Sequence, residues 1–280
     1  MRPIMSDDAL DARWELARPV STVPGLAMKG FLDRAAAGSD LRIFARPAVV
    51  VVIQFGDSRL VVDEDTADSA TGGLVAGWCP GARRVHARQV ACVEVLLSPI
   101  AAYGLLGGLP RELDGSVPGP QELWGRAAAR LTGRLAETDS WTDRFALTAR
   151  FLAERRAPAT LDPEVAASWA RLVATDGAVR VRDLAQDTGW SRKRLWSRFT
   201  AQVGVTPKRA ATVIRFRAAL EQLQTGAAPA EVAARCGYAD QSHLSREVAA
   251  FTGTTPGALV RHRPEQSSKT VRPPSPTVEP

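Results

Sequence analysis

Residues 189–207 read GWSRKRLWSRFTAQVGVTP, and residues 237–256 read GYADQSHLSREVAAFTGTTP. They are one pattern written twice. Gly189 and Gly237 lie 48 positions apart, while Leu195 and Leu244, Gly204 and Gly253, and Pro207 and Pro256 each lie 49 apart. Upstream, VRDLA at 181–185 answers AEVAA at 230–234. A repeat of this length marks a supersecondary unit that occurs twice. Each copy has the shape of a helix-turn-helix. A short helix carries a small residue, Ala185 or Ala233, that allows close packing. The glycine four positions later suits the left-handed backbone that closes a helix. An aromatic residue follows to plug the core, and Ser191 or Asp240 caps the second helix. In that helix Leu195 and Phe199 form an inward i,i+4 pair. Arg192, Lys193, Arg194 and Arg198 put four cations within seven residues outside that stripe. Such a helix fits a DNA major groove.

The pair resembles the DNA-binding domain of the AraC/XylS family of transcriptional regulators. The second copy carries the specific part, Gly237 to Arg246 followed by Phe251 to Pro256. The first copy matches through Leu184-Ala185, Gly189-Trp190-Ser191, Leu195, Phe199 and Gly204 to Pro207. The resemblance covers about 100 residues and implies two helix-turn-helix units joined by a long helix, here about Pro207 to Thr225. It implies that a monomer reads two successive major-groove segments. By position in the motif, Lys193, Arg194, Trp196 and Ser197 contact bases in the first segment, and Gln241, Ser242 and Arg246 in the second. Chemistry agrees, because Arg pairs bidentately with guanine and Gln can pair with adenine. Arg192, Arg198, Lys208 and Arg209 read as phosphate contacts, which add affinity and salt dependence but no sequence information. His243 reads as a phosphate contact or a support for the helix start. The chain departs from the family at Ser197, where many members carry arginine, and at Val248, where many carry phenylalanine.

The charge distribution supports the same division. The chain has 280 residues and a net charge of +6. Residues 1–159 hold 19 cations and 19 anions, residues 160–262 hold 14 and 9, and residues 263–280 hold 3 and 2. A neutral half joined to a basic half predicts one domain that meets a polyanion and one that does not. The Pro-containing stretch 157–163 falls at the change. The expected layout is a sensor or dimerisation domain at 1–156, a linker at 157–163, a double helix-turn-helix domain at 164–262 and a disordered tail at 263–280. The tail is rich in Pro, Ser and Thr and cannot bury enough surface to offset its ordering. No apolar run approaches the roughly 18 residues of a membrane span. The N-terminus lacks a signal-peptide core, and three cysteines make no disulfide framework, so the expected compartment is the cytoplasm.

The first half reads as α+β, β-rich with a helical hairpin. Residues 1–30 show no periodicity and read as a loose lead-in. Strands are expected at Ala48–Ile53, Arg59–Val62, Gly73–Trp78 and His86–Leu97, with an acidic loop at 63–73. Ser98-Pro99 opens a helix over Ile100–Leu106 that Gly107 and Gly108 end. Gln121–Ala136 and Thr142–Arg155 form the hairpin, and its faces pack on the sheet or support dimerisation. Composition places an apolar pocket among Val49–Phe55, Leu74–Trp78 and Val90–Leu97.

These features lead to a sequence-specific DNA-binding transcription regulator, not an enzyme and without a cofactor. Its expected partner is double-stranded promoter or operator DNA. A small-molecule effector in 1–156, a second copy of the chain and RNA polymerase are further candidates, and no membrane is involved. Two alternatives stand beside it. The first half is a ligand-free dimerisation or protein-interaction module, or it is an enzyme or repair activity fused to the DNA domain. The latter needs a nucleophilic Cys or a metal cluster. Cys79, His86 and Cys92 match no compact zinc spacing, so no metal site is expected.

Overall fold

The structure is a computed structural model. It describes residues 2–3, 14–20, 25–33, 39–62, 72–78, 83–105, 117–155 and 160–261. Residues 63–71, Cys79, the Gly107–Gly108 helix stop, linker residues 157–159 and the tail 263–280 lie outside them, as do the expectations placed there.

The described residues of the first half form nine strands and three helices: β1 (Arg2–Pro3), β2 (Trp14–Ala17), β3 (Leu26–Asp33), β4 (Ser39–Ile43), β5 (Val49–Gln54), β6 (Arg59–Val62), β7 (Gly73–Ala76), β8 (Arg83–Arg88), β9 (Ala91–Leu97), α1 (Pro99–Leu105), α2 (Pro120–Ala136) and α3 (Trp141–Ala153). A five-stranded antiparallel sheet runs β2-β3-β9-β5-β7. A four-stranded sheet runs β1-β4-β8-β6. The run Val49 to Ile53 is β-branched throughout because both faces of its strand are buried. Val49, Val51, Ile53, Val75, Val93 and Val95 form a core with Leu131, Leu135, Phe145 and Leu152 of the hairpin. Val50, Val52, Leu74, Ala76 and Cys92 face the other way and meet Leu60 and Val85 of the second sheet. Most of the residues assigned to a pocket, though not Trp78, are packed into these cores.

Three expectations for this half need correction. Residues 14–17 and 26–33 are strands, not a loose lead-in. β3 shows little alternation because it is covered on both sides. The Trp141 ring lies where a Cβ on Gly30 would sit, and its Nε1 donates to Glu15 Oε1 at 2.7 Å. The single strand expected at His86–Leu97 is two, broken at Gln89 with φ of 48°, and they belong to different sheets. Trp78 leaves the end of β7 and enters the core of the helical half. The hairpin does pack on the five-stranded sheet.

The second half is all-α: α4 (Pro163–Ala174), α5 (Val181–Asp187), α6 (Arg192–Val203), α7 (Pro207–Gln224), α8 (Pro229–Arg235), α9 (Gln241–Thr252) and α10 (Pro256–Arg261). One core runs through it. It includes Trp169, Leu184, Leu195, Phe199, Phe216, Leu220, Leu244 and Phe251, and also Ala45 and Trp78 from the first half. The Trp78 indole meets Trp169 edge-on at 5.9 Å and donates from Nε1 to the Val203 carbonyl at 3.0 Å. Helix α1 packs on α6. Nearby, Arg46 approaches Glu94, which is buried, at 3.9 Å. Burial, and then the like charge of Arg46, pull the Arg217 guanidinium of α7 down to about 10. Among the described residues no helix is long and apolar enough to cross a membrane.

Candidate nucleic-acid interface

Both turns form as the repeat requires. Gly189 and Gly237 take φ of 67° and 71°, the left-handed region that only glycine enters freely. The following aromatic N–H groups return to the first helix, Trp190 to the Ala185 carbonyl at 3.0 Å and Tyr238 to the Ala233 carbonyl at 2.9 Å. Ser191 Oγ accepts from the Arg194 N–H at 3.2 Å, and Asp240 Oδ1 from the His243 N–H at 2.6 Å. Each satisfies one of the donors that a helix start leaves open. Gly204 and Gly253 close α6 and α9 at φ of 90° and 68°. Thr206 then caps α7.

The inward faces of α6 and α9 are Leu195, Phe199 and Val203, and Leu244, Val248 and Phe251, all buried. Outside them on α6, Arg192, Lys193, Arg194, Trp196, Ser197 and Arg198 are exposed, and Trp196 retains 53% of its surface. About half of a large apolar ring thus faces solvent beside three consecutive cations. On α9, Gln241, Ser242 and Arg246 are exposed and His243 is half-buried. Lys208 is exposed at the start of α7. Arg209, His243 and Arg246 line one groove of about 520 Å³ between α7 and α9, together with Thr212, Asp240 and Glu247. The Arg209 guanidinium lies 4.7 Å over the Phe251 ring.

The 49-residue register makes Arg194 and His243 equivalent positions. Both touch the aromatic residue of their own turn. Arg194 lies 4.4 Å over the Trp190 ring, and His243 meets Tyr238 edge-on at 5.2 Å. Arg198 and Glu247 are also equivalent, with opposite charge. Arg198 makes a bidentate pair with Asp162, Nε–Oδ2 2.6 Å and Nη2–Oδ1 2.9 Å. Its hydrogen bond holds the Asp162 carboxyl below the ordinary aspartate range. The phosphate contact expected at Arg198 would have to compete with Asp162. Glu247 accepts from Tyr238 Oη at 2.6 Å and from Arg215 Nη2 at 3.1 Å. Burial, and then the hydrogen bond to Glu247, push the Tyr238 phenol well above its ordinary value.

Sequence reasoning passed over Asp162, Arg215 and Glu247. Register was the available signal, since the repeat places Glu247 against Arg198. Cys92 is a buried free thiol whose pKa burial raises, and among the described residues no group of three His, Cys, Asp or Glu side chains could hold a metal.

Residues 184–262 match a family model described as a helix-turn-helix domain. Over 66 residues the chain is 39% identical to the uncharacterized HTH-type transcriptional regulator YbfI of Bacillus subtilis (strain 168). That match covers 24% of this chain and 24% of the relative, so the chain spans about a quarter of that protein. Among solved structures, the C-terminal domain of AraT, a response regulator from Geobacillus stearothermophilus, is similar at 21% identity. It covers 40% of this chain and 97% of that one, with a TM-score of 0.36. Unsaturated fatty acid bound wild-type ToxT from Vibrio cholerae strain SCE256 is similar at 13% identity, covering 92% and 96%, with a TM-score of 0.43.

Proposed function

We propose that this chain, whose residues 184–262 are a helix-turn-helix domain of the AraC/XylS type, is a sequence-specific DNA-binding regulator of transcription. The carrying observation is the doubled unit: two exposed, capped helices on one shared core. In this reading α6 enters one major-groove segment with Lys193, Arg194, Trp196 and Ser197 at base edges. Helix α9 enters the next with Gln241, Ser242 and Arg246. Arg192, Lys208, Arg209 and His243 meet phosphates, as does Arg198 when it releases Asp162. Residues 164–262 are the reading half and residues 1–156 set when it reads. The contact of Trp78 with Val203, at the end of α6, supports that coupling, as does the packing of α1 on α6. A small-molecule effector or a second copy of the chain acts through this junction.

The test is a gel shift on a duplex selected by the full chain from a randomised library. The double substitution Arg194→Ala plus Arg246→Ala removes one base contact from each helix. Each good bidentate contact carries about 1–3 kcal/mol of discrimination, so preference for the selected duplex should fall by about 30-fold or more. Wild-type binding by the double variant would sink the assignment of the two helices.

A further inference from the structure

We propose that Glu247 is a positioning residue that fixes the rotation of α9, and so the aim of Arg246 and its neighbours, by clamping the helix to α7. This inference rests on the DNA-reading role given above to α9, and it names residues that role does not use.

The geometry is a closed triangle. The two carboxylate oxygens of Glu247 are taken by different donors, Oε1 by the Tyr238 hydroxyl at 2.6 Å and Oε2 by Arg215 Nη2 at 3.1 Å. The third side is the Arg215 guanidinium, 4.7 Å over the Tyr238 ring. The three side chains come from three places: the turn before α9, α9 itself and the linking helix α7. The group is shielded, with the Glu247 side chain 12% and the Arg215 side chain 20% exposed. A charged pair out of solvent holds its geometry more strongly than an exposed one, and losing one partner costs more. Successive residues on a helix are turned by about 100°. Pinning position 247 inward therefore sets the azimuth of Arg246 and of the whole exposed face. The core alone does this less firmly here, because Val248 fills the place that Phe199 fills in the first copy.

The repeat supports the role independently. The equivalent of Glu247 in α6 is Arg198, and it too is tied to a neighbouring helix, by the bidentate pair with Asp162 at the start of α4. The charge is inverted and the anchor differs, yet a tether recurs at the same position of both exposed helices. An ordinary solvated charge would have no reason to find an anchor in both copies.

The experiment uses the full chain and the duplex it selects from a randomised library. Kd is measured for that duplex, for variants mutated in either half-site, and for unrelated duplex. Thermal unfolding runs in parallel. Glu247→Ala should lose about tenfold in discrimination at the α9 half-site, the order carried by one base contact. It should keep discrimination at the α6 half-site and binding to unrelated duplex. Glu247→Gln keeps the shape and one accepting oxygen but turns the other acceptor into a donor and removes the ion pair, so it guards against a folding failure and should lose less. The exchange Arg215→Glu with Glu247→Arg restores opposite charges and should recover part of the loss that either single reversal causes. Unchanged half-site discrimination in folded Glu247→Ala overturns the positioning role and leaves the DNA-reading role standing. A wild-type chain that selects no duplex overturns both.

Discussion

The two helix-turn-helix copies share their backbone and differ in what holds them. The first exposed helix, α6, is tied to α4 through Asp162 and touched from the first half by Trp78 and α1. The second, α9, is tied to α7 through Arg215 and rests on α8 and α10. Glycine turns, caps and apolar faces were duplicated with the unit, whereas the anchors were not. Under the regulation proposed above, residues 1–156 meet α6 directly through Trp78 and α1, whereas α9 rests on α7, α8 and α10. The two helices would then not be regulated alike.

The largest expected difference lies in the cores. Phe199 is fully buried, and Phe199→Ala should cost about 3–5 kcal/mol in urea unfolding. Its counterpart Val248→Ala removes about two methyl groups and should cost about 1.5–2 kcal/mol. Equal losses would mean that the two cores are packed to the same standard and that α9 needs no tether. Next comes the junction. Trp78→Phe keeps a ring but leaves the Val203 carbonyl without its donor, at about 1–3 kcal/mol. Amide exchange should quicken over 195–203 and not over 241–252. Equal acceleration in both helices would show that the first half grips the whole helical domain. The smallest effect belongs to the exposed pair. The hydrogen bond from Arg198 holds the Asp162 carboxyl below the ordinary aspartate value. A lowered folded value means that the pair stabilises above that pH and fades as pH falls through the lowered value. Wild type should lose a small stability advantage over Asp162→Asn on acidification, and salt should shrink it. Identical acid profiles would break the idea that α6 is tied at this point.

The features legible in the sequence were those set by residues close together along the chain. Ser191 caps a helix whose first turn it touches, and Gly189 and Gly237 close helices a few residues long. The 48- and 49-residue offsets then related two such local signals. The strands at 14–17 and 26–33 were harder to see, because Gly30 and Lys29 interrupt β3. Gly30 makes sense only with Trp141 against it, and Lys29 faces Glu94 across the strand register. Trp78 looked like the end of a strand because its hydrogen-bond partner lies 125 residues on. Glu247 was passed over because its partner Arg215 lies in another element, 32 residues back along the chain.

Trp78 also bears on how such proteins can be recombined. Its side chain is a missing brick in a wall built by the other half, seated against Trp169 and the last turn of α6. A splice near Pro163 that swaps in a foreign front half would leave that socket open unless the newcomer brings a ring of matching size. The two halves are fitted to each other, and the Trp78 indole is one piece of that fit, beside Ala45 and α1.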